Sequence, residues 1–316
     1  MTRAAGLRVW ALSAGLIVAL DASSAGGPLP QQRGRTVIET EVIRVPVTVS
    51  DRRGRFIPGL KQQDFEVFDD GVPQELTSFA IEESGIAAEL LIDVSGSMSY
   101  RLEDAKRAAM QFVQQMGDKD VIKVLQFDEK VTPLSGFTND RSVLTAAIGR
   151  AQTGNATALL NALSMAIDDL EARAKEDEAA QRHRAILVLT DGDDTASAIT
   201  EDEILVKAGR VDALVYSLSL DRNNGQPVTD GASAILLRQL ASRTGGQLQF
   251  PELADLGKFY RQLADELRHQ YVLGYVPAGT RPGARWHTIT VRIKNRRDAR
   301  LRHRVSYFGA PGRITR

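Results

Sequence analysis

The chain has 316 residues, 43% of them hydrophobic and 25% charged, which is ordinary for a globular protein and long enough for one large domain or two smaller ones. Its 40 basic and 40 acidic side chains cancel, so no global charge points to nucleic acid, and with no cysteine there is neither disulfide nor thiol chemistry. Charge is uneven locally: from Arg281 to Arg316 eleven Lys or Arg face the single acid Asp298.

The N-terminus reads as a secretory signal over residues 1–25. Arg3 and Arg8 form a basic region, Val9 to Leu20 an apolar run and Ser23-Ser24-Ala25 a small-residue cleavage site. That run is short for a bilayer span, which needs about 20 residues, and an uncleaved anchor is the alternative. The expectation is an exported chain, periplasmic or secreted, with no stable membrane span once the signal is removed. Residues 26–35 read as a linker rich in Gly and Pro.

Residues 36–85 read as the first part of a β domain. Val37 to Val49 alternates apolar and polar residues with the two-residue period of a half-buried strand. Asp51 to Gly54 is a turn; Phe65 to Asp69 is a strand ending in Asp70-Gly71, a pair suited to a tight hairpin, and Gln74 to Phe79 returns. From residue 86 to 268 strands and helices alternate. Strands are expected at Ala88–Ile92, Val121–Phe127, Ala185–Leu189, Ala213–Leu220 and Gln247–Phe250. Helices are expected at Leu102–Met116, Arg141–Ala151, Ala158–Ala174, Glu201–Gly209, Ala232–Thr244 and Leu253–Leu267. Such alternation predicts an α/β fold: a doubly wound, mostly parallel sheet with helices on both faces. Residues 269–310 return to β rhythm at Tyr271–Tyr275, Trp286–Ile293 and Arg304–Phe308, before a short tail at 311–316. The two ends are expected to complete one β-sandwich-like domain around the α/β middle.

Ligands of parallel sheets sit at the carboxyl ends of the strands, and there the chain collects oxygen. Leu90-Leu91-Ile92 rises to Asp93-Val94-Ser95-Gly96-Ser97; Thr157 follows a turn-prone loop at the start of a helix; Thr190-Asp191-Gly192 leaves an apolar strand. A hard cation such as Mg2+ takes about six oxygens near 2.1 Å and usually keeps several waters, so one carboxylate with two serines is an incomplete cage that Thr157 and Asp191 extend.

These three segments, in this order and on these elements, resemble the metal-ion-dependent adhesion site of a von Willebrand factor type A domain, over about Ala87 to Leu267. The flanks, Val47-Thr48-Val49-Ser50-Asp51, Gly59-Leu60, Asp64-Phe65, Asp70-Gly71 and Tyr271-x-Leu273-Gly274-Tyr275-x-Pro277, resemble the exported bacterial VWFA-related domain proteins of acidobacterial type. Where that group commonly has Gly-Gly-Thr before the metal threonine, this chain has Asn155-Ala156-Thr157. The resemblance implies Mg2+ (or Mn2+ or Ca2+) held directly by Ser95, Ser97 and Thr157, with Asp93 and Asp191 direct or through water. It also implies an open position for an Asp or Glu carboxylate of a protein partner. The expected function is therefore a non-enzymatic binding or adhesion module, without nucleic acid; the alternative is an envelope assembly subunit whose metal stabilises the fold.

Other readings are weaker. Asp93-Val94-Ser95-Gly96-Ser97 lacks the first glycine of a nucleophile elbow. Asp191-x-Asp193-x-Thr195 starts like an EF-hand loop, but Ala196 stands where glycine is needed. Asp193 and Asp194 are expected at the solvent or on the site rim, and His183, His269, His287 and His303 are scattered and structural. The C-terminal arginines are expected on a solvated or charged strand face.

Overall fold

The computed structural model describes residues 42–82, 85–176, 182–278, 284–294, 296 and 298–309. The expected signal, linker and tail, the start of the first strand before residue 42, and part of the charged stretch after Glu176 lie outside the described residues. In chain order the elements begin with β1 (Ile43–Ser50), β2 (Phe65–Asp69), β3 (Val72–Gln74) and β4 (Leu76–Glu82). The middle holds β5 (Ile86–Asp93), α1 (Leu102–Gln114), β6 (Val121–Phe127), β7 (Val131–Pro133), α2 (Arg141–Gly149), α3 (Leu159–Glu176), β8 (His183–Thr190), α4 (Glu201–Arg210), β9 (Leu214–Ser219), the short β10 (Arg222–Asn223) and β11 (Gln226–Pro227), α5 (Ala232–Thr244), β12 (Gln247–Gln249) and α6 (Leu256–Arg268). The chain then closes with β13 (Gln270–Tyr275), β14 (Arg285–Ile293), β15 (Arg300–His303) and β16 (Ser306–Gly309).

The middle is the doubly wound α/β fold. Its six strands run β12-β9-β8-β5-β6-β7, all parallel except β7, which is antiparallel to β6. Every residue of β5 is buried, because both faces of this central strand are covered. Ala88, Leu90 and Ile92 meet the layer of α1, α2 and α6, while Ala87 and Leu91 meet the layer of α3, α4 and α5. Helix α1 contributes Leu102, Ala105, Ala109, Phe112 and Val113 at three- and four-residue spacing. Helix α4 opens with a capping box of Thr200 and Glu203.

The two ends of the chain build a pair of antiparallel four-stranded sheets. One runs β15-β1-β13-β4 and the other β16-β14-β2-β3. Each therefore mixes strands from before and after the α/β middle. Val45, Val47 and Val49 of β1 and Tyr271, Leu273 and Tyr275 of β13 share one core with Phe65 and Val67 of β2 and Ile289 and Val291 of β14, so the sheets form a sandwich. Asp70 and Gly71 both take positive φ, 49° and 79°, the backbone that a two-residue hairpin between β2 and β3 demands. The expected single return strand is broken at Glu75: β3 stays with β2, whereas β4 crosses to pair with β13.

The C-terminal arginines differ from expectation. Arg302 ion-pairs with Glu266 of α6 and lies over the Tyr216 ring; Arg304 is buried and donates to Gly209 O at 2.9 Å. Trp286 of β14 seats against Gly209, where an added Cβ would lie 2.4 Å from its ring, and Arg243 of α5 stacks on the same ring at 4.0 Å. These basic strands fasten the sandwich to the helices because guanidinium groups can bury their stems and planes while still meeting carbonyls and rings. The expected strand Arg304–Phe308 begins later, as β16 at Ser306, and β15 (Arg300–His303) precedes it as an unexpected strand.

Candidate metal centre at the strand ends

Asp93, Ser95, Ser97, Thr157 and Asp191, read from three separate segments, converge at the carboxyl ends of β5 and β8. Asp93, the last residue of β5, is fully buried. Its Oδ1 accepts the Ser95 amide at 2.9 Å and its Oδ2 the Thr190 hydroxyl at 2.5 Å. Burial pushes its pKa up, the hydrogen bonds from Ser95 and Thr190 oppose that, and the Asp191 charge adds to the rise. Ser95 Oγ and Ser97 Oγ lie 3.1 Å apart, and the Ser97 hydroxyl donates to Asp191 Oδ1 at 2.7 Å. Gly192 sits against the remaining hydroxyl: a Cβ built there would be 3.7 Å from both Ser97 Oγ and Thr157 Oγ1.

Backbone contacts hold these segments in register. Gly96 N donates to Asn155 O at 2.9 Å and Gly154 N to Val94 O at 2.6 Å. A Cβ at Gly154 would fall 1.9 Å from Asp128 Oδ2, so this close approach requires glycine. Thr157 N donates to Thr195 Oγ1, and Thr195 N returns to Thr157 O at 2.8 Å. The Asn155-Ala156 departure leaves Thr157 at the site.

The donor set fits a hard divalent cation. Ser97 Oγ lies within hydrogen-bond distance of both Ser95 Oγ and Asp191 Oδ1, at 3.1 and 2.7 Å, and hard hydroxyl and carboxylate oxygens of this kind are what Mg2+ prefers. Both Asp93 oxygens already accept protein donors, which suits an outer-sphere role through water.

Asp193 and Asp194 do not sit idle at the rim. Asp194 Oδ1 accepts Leu160 N at 3.1 Å, in the first turn of α3, and the Ser197 hydroxyl at 2.6 Å; Asp193 Oδ1 accepts Ser233 N at 3.0 Å, in the first turn of α5. Both neutralise helix N-termini from a distant loop, where negative charge is favoured. Two groups escaped the sequence reading. Arg101 ion-pairs through Nη1 with Asp191 Oδ2. Half-buried Asp221, beyond β9, has its pKa raised by burial and then by the Asp193 and Asp191 charges, against the pull of Arg101. A basic residue at the start of α1 was the available signal for the first.

Residues 90–193 match the family model described as the von Willebrand factor type A domain. The α/β region has the von Willebrand factor type A fold. Solved structures similar to the chain include a von Willebrand factor type A protein from Catenulispora acidiphila, at 15% identity over 77% of this chain and 72% of that one, with a TM-score of 0.49. An aerotolerance-related membrane protein from Bacteroides fragilis gives 16% identity, 58% and 98% coverage and 0.46. Proximal thread matrix protein 1 from the mussel byssus, with a zinc-occupied MIDAS motif, gives 15%, 63% and 49%, and 0.45; this chain spans about half of that one. No curated protein matches.

Outside the von Willebrand factor A region, Asp69, Asp70 and His287 bring three metal-capable atoms within 4.8 Å of one another. The histidines are thus not all apart. His287 Nδ1 lies 3.0 Å from Asp70 Oδ2 and 3.8 Å from Asp69 Oδ1. Protein groups already engage this cluster: Tyr275 and Tyr307 hydroxyls donate to Asp69 Oδ2 at 3.1 and 2.9 Å, and Thr288 N and Arg285 Nη2 donate to Asp70. Among the described residues no helix is long and apolar enough to cross a membrane.

Proposed function

We propose that the chain is a non-enzymatic binding module that captures a protein partner through a divalent cation, Mg2+ in the first instance, at the β5 and β8 strand ends. The observation that carries this is the hydrogen-bonded set of Ser95, Ser97 and Asp191 oxygens, with the Ser97 and Thr157 hydroxyls both facing Gly192. Ser95, Ser97 and Thr157 would hold the ion directly, and Asp93 and Asp191 would steady it directly or through water. With few direct carboxylates the bound ion supplies an electrophilic position that a partner's Asp or Glu can fill. The mussel protein's zinc-occupied motif is a precedent for cation binding in this fold, not for a partner. The sandwich is the scaffold that orients the site. Its flanks resemble those of acidobacterial-type exported proteins, and the signal-like N-terminus supports a site of action outside the cytoplasm, periplasmic or secreted.

Calorimetric titration of Mg2+ and Mn2+ into the wild type and Asp191→Ala tests this directly. One cation per chain, lost in the variant while its circular dichroism is unchanged, is the expected result. A folded wild type that takes up neither ion would overturn the metal reading. Capture of an acidic partner that survives both EDTA and Ser97→Ala would sink the bridging role while leaving the metal.

A further inference from the structure

Arg101 stands where helix electrostatics disfavour it. It is the N-cap of α1, with φ −115° and ψ −12°, and makes no side-chain cap bond. Its backbone is already helical, since the 3-10 turn Gly96–Tyr100 runs directly into it, and a cation there faces the positive end of the α1 dipole. The next residues follow the rule, since Glu103 and Asp104 occupy the first turn. A local rule broken in an otherwise regular helix needs a compensating contact.

That contact is with Asp191, the candidate metal ligand. The Asp191 side chain is 1% exposed, and a carboxylate so buried requires a partner. Ser97 supplies one hydrogen bond to Oδ1; Arg101 supplies the charge at Oδ2. The Arg101 side chain keeps 30% of its surface, so its guanidinium has a solvent side toward which it can withdraw. A divalent ion drawn to Asp191 meets a positive charge already seated on the same carboxylate.

We propose that Arg101 is a resident counter-cation: it neutralises Asp191 in the metal-free protein and competes with the divalent ion, so that it sets the affinity of the site. This rests on the metal reading above. Its consequence is a pair of opposed effects. Removing the charge should destabilise the protein without metal and at the same time tighten metal binding. A purely structural arginine would give only the first.

The experiment uses the full chain carrying Arg101→Gln and, separately, Arg101→Lys, with Mn2+ and Mg2+ titrations and melting curves in EDTA and in saturating metal. A charge within 4–6 Å shifts an equilibrium of this kind by about one to three powers of ten. Arg101→Gln is therefore expected to bind metal at least about tenfold more tightly than wild type, to melt lower in EDTA and to gain more from metal. Lysine keeps the charge but loses the planar fork, so Arg101→Lys should fall between the two. It decides the matter alone if the glutamine variant does not fold. Metal affinity equal to or weaker than wild type in the folded variants, with wild type still binding one equivalent, overturns the role of Arg101 and spares the metal reading. Absence of binding by wild type and variants alike overturns both.

Discussion

Two carboxylate clusters in this chain use the same chemistry to opposite ends. In the sandwich, Asp69 is enclosed by the hydroxyls of Tyr275 and Tyr307 with His287 beside it, and Asp70 is held by Thr288 N and Arg285. The donors are large, fixed and supplied by the protein. At the strand ends of the von Willebrand factor A region, small hydroxyls meet Asp93 and Asp191, Arg101 pairs with the second oxygen of Asp191, and Ser97 lies exposed. A carboxylate closed by tyrosines and imidazole staples strands together; one met by serine and threonine hydroxyls has beside it small oxygens whose lone pairs would suit an ion. What separates staple from site is therefore the company of the acid, not the acid.

The contrast can be broken most forcefully in the sandwich. Asp69→Ala removes the acceptor of the buried Tyr275 and Tyr307 hydroxyls, and should cost about 3–5 kcal/mol, read as a lowered urea midpoint. Chelation should act only at the other cluster. With metal at about 100 times its dissociation constant, linkage gives about 2.7 kcal/mol of stabilisation; EDTA should remove it from the wild type and leave the melting curve of Asp191→Ala unmoved.

A third acid sharpens the comparison by having almost no company. Glu89 lies on the same strand as Asp93, with no exposed surface and no hydrogen bond to either oxygen. Burial pushes its pKa up to about 9, the Asp169 charge adds to the rise, and Lys123 opposes it. The folded protein thus keeps a proton that an unfolded chain releases near 4.5. Between those values the unfolded state binds fewer protons, so stability falls as pH rises. Glu89→Gln should match wild type near pH 5, be increasingly the more stable as pH rises toward 8, and flatten the pH profile. The smallest effect is expected from Asp194→Ala, which removes a helix cap at a cost of about 1 kcal/mol and should leave the number of bound cations unchanged.

How much of this could be read in advance follows from the distance over which each feature is encoded. Strand β5 and the Asp93-x-Ser95-x-Ser97 turn were legible because a continuous apolar run and a five-residue motif are local, and Thr157 and Asp191 followed from the order of elements. The Asp70–His287 contact joins residues 217 positions apart, and no spacing rule links them. Nor does periodicity reveal that Arg302 and Arg304 turn inward, because alternation marks two faces of a strand without saying which one a neighbouring helix covers. The roles of Asp193 and Asp194 were hidden for the same reason: the helices they cap begin on other segments.

The pairing of β1 with β13, which joins Val47 to Tyr271, has a consequence in time. Synthesis runs at about 5–20 residues per second, so more than two hundred residues must follow before that partner exists. For roughly ten to forty-five seconds the Ile43–Ser50 segment, apolar at every second position, has no strand from its own chain to lie beside. The von Willebrand factor A region can be complete before the sandwich closes. A nascent chain stalled at that stage would carry a finished α/β region beside an open sheet edge, the form in which strands most readily join those of other chains.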